Sequence, residues 1–277
     1  MTRSLAVACL LLARSVLAAA GPLDFDTARG AREVGMGGTF RELGIGANAA
    51  DGNPAAMALF SAYQIELAGG DDWKAKGWYA AGWIRDSTNQ EFAGAYSFHY
   101  ISNDYGGSNV GLWAHSLSLA ARLGDKVAFG IGGRWFIQNS PHINAASLNV
   151  GVSILVMPQL TLGFAGYNLI DTHHPGLSRS FEAGLSLLLG PVRLASEVRS
   201  DIGRGPLAPI WNTGLELVLG KTFALRTGWE WRQPVEQNFF SAGFGIVVDT
   251  AGIDIGYRHG LAGAGDMIVG GLRLQLQ

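Results

Sequence analysis

The chain has 277 residues, 48% of them hydrophobic and 15% charged, with 40 glycines and a formal net charge of −2. This is rich in glycine and poor in charge for a soluble globular domain. No basic block or acidic tail occurs, which argues against nucleic acid as a partner.

Residues 1–20 read as a secretory signal peptide. Arg3 supplies the positive start, Leu5 to Ala13 is an unbroken apolar run, and the small residues between Ser15 and Ala20 suit signal peptidase, with cleavage near Ala20. The run is too short to span a bilayer. Cys9, the only cysteine, lies inside it. Once the signal is removed, disulfides, zinc–thiolate sites and cysteine nucleophiles are excluded.

Residues 21–61 lack period-two alternation and form a separate N-terminal segment. Its first half is a compact glycine-rich stretch, Gly35-Met36-Gly37-Gly38. Its second half predicts a short helix over 53–60, with Asn53 as N-cap, Pro54 at the first helical position and Ala55 behind it.

From residue 62 to 277 the pattern changes. No stretch reaches eighteen apolar residues, so no transmembrane helix is expected. Bulky and small residues alternate instead, in segments of about nine to twelve, enough for a tilted strand to cross a bilayer. Val127, Phe129, Ile131, Trp135 and Ile137 share one face; Ala128, Gly130, Gly132 and Arg134 share the other. Trp211, Leu215, Leu217 and Leu219 oppose Asn212, Gly214 and Glu216 in the same way. A soluble sandwich would carry lysine and glutamate on its second face. Here that face is glycine, alanine and serine with scattered charges, which suits a crowded barrel interior with the bulky face against lipid.

Strands are predicted near 62–69, 77–84, 92–101, 111–122, 126–138, 145–156, 159–169, 180–189, 191–199, 209–219, 222–231, 238–248, 251–258 and 266–276. The fold class is therefore all-β, a transmembrane antiparallel barrel of about fourteen strands with a short N-terminal plug. Connections alternate between short turns, such as 157–158 and 220–221, and longer loops, such as 102–110, 170–179 and 200–208. Only 85–91 breaks this rule. The last strand ends in alternating Leu272, Leu274 and Leu276, similar to the terminal signal of outer-membrane barrels, but with Gln277 in place of the usual final aromatic.

By parity, Arg134, Glu182, Arg193, Glu197, Arg199, Glu216, Arg226, Glu230, Arg232, Asp254, Arg258 and Arg273 face the lumen. Both signs occur on neighbouring strands, which predicts cross-strand ion pairs. An ion-pair network that fills the barrel and fixes the plug accounts for them better than an ion pathway. No catalytic constellation emerges. His115 and Ser116 are adjacent in a strand and point to opposite faces. His173 and His174 lie in a loop. Gly130-Ile131-Gly132-Gly133 has no following helix to make a nucleotide loop. The reading is of a non-enzyme with no cofactor and no metal site.

The N-terminal residues carry a resemblance. Gly35, Met36, Gly37 and Gly38, followed by Asn53-Pro54-Ala55 and a membrane barrel, look like the FadL superfamily. That group includes FadL-type transporters of hydrophobic compounds and PorV/PorQ-type proteins linked to secretion. Asn48 and the Asn53-Pro54-Ala55 motif resemble the former; Arg32 with the glycine cluster is as close to the latter. The resemblance implies a barrel with the N-terminal segment folded inside, in the outer membrane of a Gram-negative cell and in contact with its lipid. It implies passive transport of small hydrophobic compounds. The alternative it implies is a non-transporting barrel that serves as partner or anchor for envelope or secreted proteins. FadL-type members are usually longer, with large outer loops; the loops predicted here are about ten residues at most.

Overall fold

The computed structural model describes residues 25–39, 46–89, 91–105, 108–139, 142–172, 177–202, 208–233 and 236–276. The expected signal peptide, His173 and His174 lie outside them.

Fourteen strands follow one another: β1 (Tyr63–Asp72), β2 (Gly77–Asp86), β3 (Phe92–Tyr105), β4 (Ser108–Leu123), β5 (Val127–Gln138), β6 (Ile143–Met157), β7 (Leu160–Tyr167), β8 (Ser180–Leu189), β9 (Val192–Asp201), β10 (Ala208–Leu219), β11 (Phe223–Arg232), β12 (Gln237–Val248), β13 (Ala251–Gly260) and β14 (Asp266–Leu276). Each pairs antiparallel with its sequence neighbours, and β1 closes the ring on β14, from Tyr63 opposite Leu276 to Asp72 opposite Met267. Closure leaves no free edge, so every strand satisfies its backbone groups within the wall, as a hydrocarbon surrounding demands. The start of β1 and the end of β14 therefore lie at the same end of the barrel.

Alternation produces two different surfaces. Along β13, exposed and buried residues alternate without a break. Outward-facing Leu185, Leu215, Phe223, Leu225, Phe244, Ile253 and Ile255 are exposed, and inward-facing Glu216, Arg226 and Asp254 are buried. An apolar exterior over a polar interior is the reverse of a water-soluble fold and suits lipid.

Several strand ends differ from expectation, two of them in ways that change a connection. The stretch 102–110 is not a long loop. β3 and β4 stay paired as far as Tyr105 opposite Ser108. Ser102-Asn103-Asp104 is poor in strand-forming residues, but a ladder already in register extends past the bilayer at little further cost in backbone freedom. The connection after β2 shortens to 87–91 because β2 runs on through Arg85 and Asp86. The longest connection, 168–179, lies at the end opposite the start of β1.

The core sits inside the barrel and is built largely by the N-terminal segment. A one-turn helix, α1 (Ala31–Gly35), packs against β12 and β13. Two short 3-10 helices follow, Ala47–Ala50 and Pro54–Leu59, the second against β4, β5 and β6. All three are fully buried.

Leu217 stands on the outer face of β10, between Val192 and Leu225. Leu217→Arg is expected to weaken folding into bilayers by about 2–4 kcal/mol if it lies near the midplane. Equilibrium refolding into vesicles measures this, and an unchanged free energy would mean that the position does not meet hydrocarbon.

Candidate functional site: the plugged lumen

The N-terminal segment approaches the wall backbone to backbone. A β-carbon on Gly35 would stand 2.8 Å from the Cα of Gly243, and one on Gly37 would stand 2.9 Å from the carbonyl carbon of Gly228 and from the carbonyl oxygen of Thr213. A β-carbon on Gly214 would meet Met36, one on Gly256 would meet Ala31, and one on Gly130 would meet Ala55. No side chain fits at these points of the wall, so the glycines on the inner faces of β5, β10, β11, β12 and β13 act as sockets. Gly37 and Gly38 also have φ of 68° and 84°, the left-handed turn that ends α1. Met36, held between them and the wall, is fully buried.

Asn53 has two tasks. Its side-chain oxygen accepts from the backbone N–H of Ala55 at 3.0 Å, capping the Pro54–Leu59 helix. Its amide nitrogen donates to Ser153 Oγ and to the carbonyl of Val152 on β6, both at 3.0 Å. Pro54 occupies the first helical position, where a missing N–H costs nothing. On the other side, the fully buried guanidinium of Arg85 donates to the carbonyls of Met57 at 2.9 Å and Gly46 at 3.3 Å.

Charges join the segment to the wall. Glu216 on β10 accepts from Arg32 of α1 at 2.9 and 2.7 Å, and from Arg226 of β11 at 2.7 Å, with Arg193 of β9 at 3.5 Å. Arg226 continues to Asp254 at 2.6 Å, and Arg273 lies 3.6 Å from the same carboxylate. Burial by itself would lower the pKa of Arg32; the Glu216 carboxylate more than reverses this and leaves it raised. A second group joins Arg29 to Glu230 at 3.6 Å, with Arg232 hydrogen-bonded to Glu230. Arg258 lies 3.8 Å from Asp72, and Arg199 lies 2.6 Å from Asp26. Glu182 is buried opposite Arg199 in the ladder, and Glu197 is buried opposite Asn212. Arg134 is set apart from these on β5: it donates to the carbonyl of Asp51 at 3.0 Å and stacks its guanidinium 3.8 Å from the ring of Phe25.

Phe25 belongs to an aromatic group that parity reading missed. Its ring meets His99 edge-on at 4.4 Å and Phe136 at 5.9 Å. Tyr79, Trp83, Ile101, Leu177, Met267 and Val269 complete this buried cluster. Asp51 beneath it accepts from Ser97 at 2.7 Å and from Trp83, and lies 3.5 Å from His99. On β2, bulky residues occur on both faces, as in Trp78-Tyr79 and Trp83-Ile84, so alternation of size carries no signal there. Glu66 and Arg85 were also missed. Glu66 shares parity with buried Gln64 and Ala68; Arg85 fell beyond the predicted end of its strand. The cavity lined by Phe25, Asn48, Asp51, Trp83 and His99 has room for about one water molecule. In this conformation the lumen is closed there.

A closed antiparallel barrel with an apolar exterior and a packed polar interior is a transmembrane β-barrel. No protein-family model and no curated protein matches the sequence. Solved structures match its shape. The CymD monoaromatic hydrocarbon channel superposes with a TM-score of 0.70 at 11% identity, over 91% of this chain and 98% of that one. The toluene transporter TbuX of Ralstonia pickettii gives 0.65 at 11% identity, over 90% and 98%. A FadL homologue of Pseudomonas aeruginosa gives 0.64 at 12% identity, over 89% and 96%. The chain has the FadL-type outer-membrane barrel fold.

Gly228→Val forces two methyl groups into the backbone of Gly37. It is expected to displace α1 at a cost of about 1–3 kcal/mol while the barrel still assembles. Limited proteolysis of the N-terminal segment reads this; protection equal to the wild type would mean that the socket is not tight. Glu216→Ala removes the acceptor shared by Arg32 and Arg226 and should cost about 3–5 kcal/mol. Denaturant titration followed by tryptophan fluorescence would return an unchanged midpoint if the ion pairs contribute nothing.

Proposed function

We propose that the protein is a passive channel of the outer membrane for small hydrophobic compounds, exported there by the signal at residues 1–20. The observation that carries this reading is the FadL-type fold, shared over about nine-tenths of the chain with structures described as a monoaromatic hydrocarbon channel and a toluene transporter. The interior supports it. The buried aromatic cluster around Phe25, Trp83 and Phe136 offers an apolar surface inside a lumen that also carries many charges. An apolar solute gains by leaving water for such a surface, and no energy input is needed for downhill movement. Most of the lumen charges stand in ion pairs of mixed sign, so they act as a scaffold rather than as a selective field for ions. The plug motif, Gly35 to Gly38 and Asn53 to Ala55, is the device that seats the closing segment. Transport then needs a rearrangement at that segment, because the described cavity is too small for a hydrocarbon. The solved structures lend no weight to the partner-or-anchor alternative. They are channels rather than enzymes, and a non-catalytic role is part of the proposal.

Expression in a Gram-negative host without its own hydrocarbon channel tests it. Initial uptake of radiolabelled toluene should exceed that of vector-only cells several-fold, while uptake of a sugar of similar size should not change. Equal toluene rates in the two strains would overturn the reading.

A further inference from the structure

Two carboxylates stand outside the ion-pair network. Glu33 on α1 and Glu66 on β1 are 1% and 5% exposed, and each leaves one oxygen buried with no hydrogen-bond partner. Neither forms a salt bridge among the described residues. They are neighbours: Glu66 Oε1 lies 2.6 Å, and Glu33 Oε2 closer still, from the point where a β-carbon on Gly30 would stand. The amide nitrogen of Asn48 lies 2.9 Å from the same point, and it too is buried without a partner. Behind them, Glu66 Oε2 is 3.5 Å from the corresponding point on Gly46. Two glycines thus keep this space clear, and three unsatisfied polar side chains converge on it.

The described cations nearby are engaged elsewhere. Arg32, next in sequence to Glu33, turns away to Glu216 at 2.7 Å. Arg273 on β14 stands opposite Glu66 in the ladder but pairs with Asp254 at 3.6 Å. Arg29 lies against Glu230 and Arg258 against Asp72. From β2, Arg85 donates to backbone carbonyls, and the Tyr79 hydroxyl donates to the carbonyl of Arg29. Two adjacent carboxylates, removed from water and without a salt bridge among the described residues, are not a stable arrangement.

We propose that Glu33, Glu66 and Asn48 form a site for one hard divalent cation of the calcium class. Calcium takes carboxylate, amide and water oxygens in irregular geometry. Half a turn of the Asn48 amide presents its oxygen instead of its nitrogen, an exchange that leaves the shape of the side chain unchanged. The one-water cavity bordered by Gly30 and Asn48 provides the place for a water ligand. The ion ties α1 to β1, on the side of the lumen away from the Arg32–Glu216 pair, so that the plug is fastened to the wall from two directions.

The test uses the full chain, refolded in detergent, stripped with EDTA and titrated with calcium chloride. The thermal midpoint should rise with calcium in the wild type, in the logarithmic manner of a ligand that binds only the folded state. It should stay flat in Glu33→Gln and Glu66→Gln. Terbium serves as a second probe that does not depend on those variants folding. Trp83 borders the same cavity, so wild type should show tryptophan-sensitised terbium emission that calcium displaces, and Trp83→Phe should lose most of it. The proposal is overturned if calcium leaves the wild-type midpoint unchanged, or if the shift persists in both variants. It is also overturned if infrared spectra show a protonated carboxylic acid that disappears in Glu66→Gln, because a shared proton then neutralises the pair.

Discussion

The structure depends on the approach of one backbone to another. A barrel of this size encloses a lumen that must be filled or left open to water. This chain fills it with its own N-terminal segment, which is too short to bring a large apolar core of its own. The segment gains contact by lying directly on the wall, which is possible only where the wall residue lacks a side chain. Gly35 on Gly243, Gly37 on Gly228 and Met36 over Gly214 are such points. The high glycine content of the inner face follows from this constraint.

Electrostatics adds direction to that contact. Backbone packing would tolerate several positions of a one-turn helix, but a bidentate arginine pair would not. Arg32 meets Glu216 with both arms of its guanidinium, and Glu216 is itself fixed by Arg226, which leads on to Asp254. Removed from the network, any one of these charges would be stranded in a dry interior. The network therefore holds the plug in register more than it adds net stability. The Pro54–Leu59 helix is fixed by a different means, a neutral one, through the amide of Asn53 on β6.

These two anchors bear on function because they sit at different places on the segment. The charged anchor ties α1, which lies on β12 and β13, to Glu216 of β10; the amide anchor holds the second 3-10 helix against β6. Between the N-terminal end of the segment and the wall lies the aromatic cluster of Phe25, His99 and Phe136, where ring-to-ring contacts hold the segment. A hydrophobic solute competes best for contacts of that kind, since it replaces them with its own. The proposed channel activity thus calls for yielding at the aromatic end while the anchors stay seated.

What the sequence by itself determined is what depends on period two. Side chains at i and i+2 share a face whatever the neighbouring strand does. The number of strands, the apolar exterior of segments such as 211–219 and 223–231, and the inward parity of Glu216, Arg226 and Asp254 are therefore local properties, legible one strand at a time. The cap at Asn53 and the proline after it are local for the same reason. Only the tertiary structure decided which groups meet. Register and closure brought Glu216 to Arg226 and Glu66 opposite Arg273, and the fold of the plug then set Arg32 on the first and Glu33 beside the second. The aromatic cluster was hidden where β2 carries bulk on both faces, because alternation fails when both environments accept the same residues, lipid outside and a packed plug within.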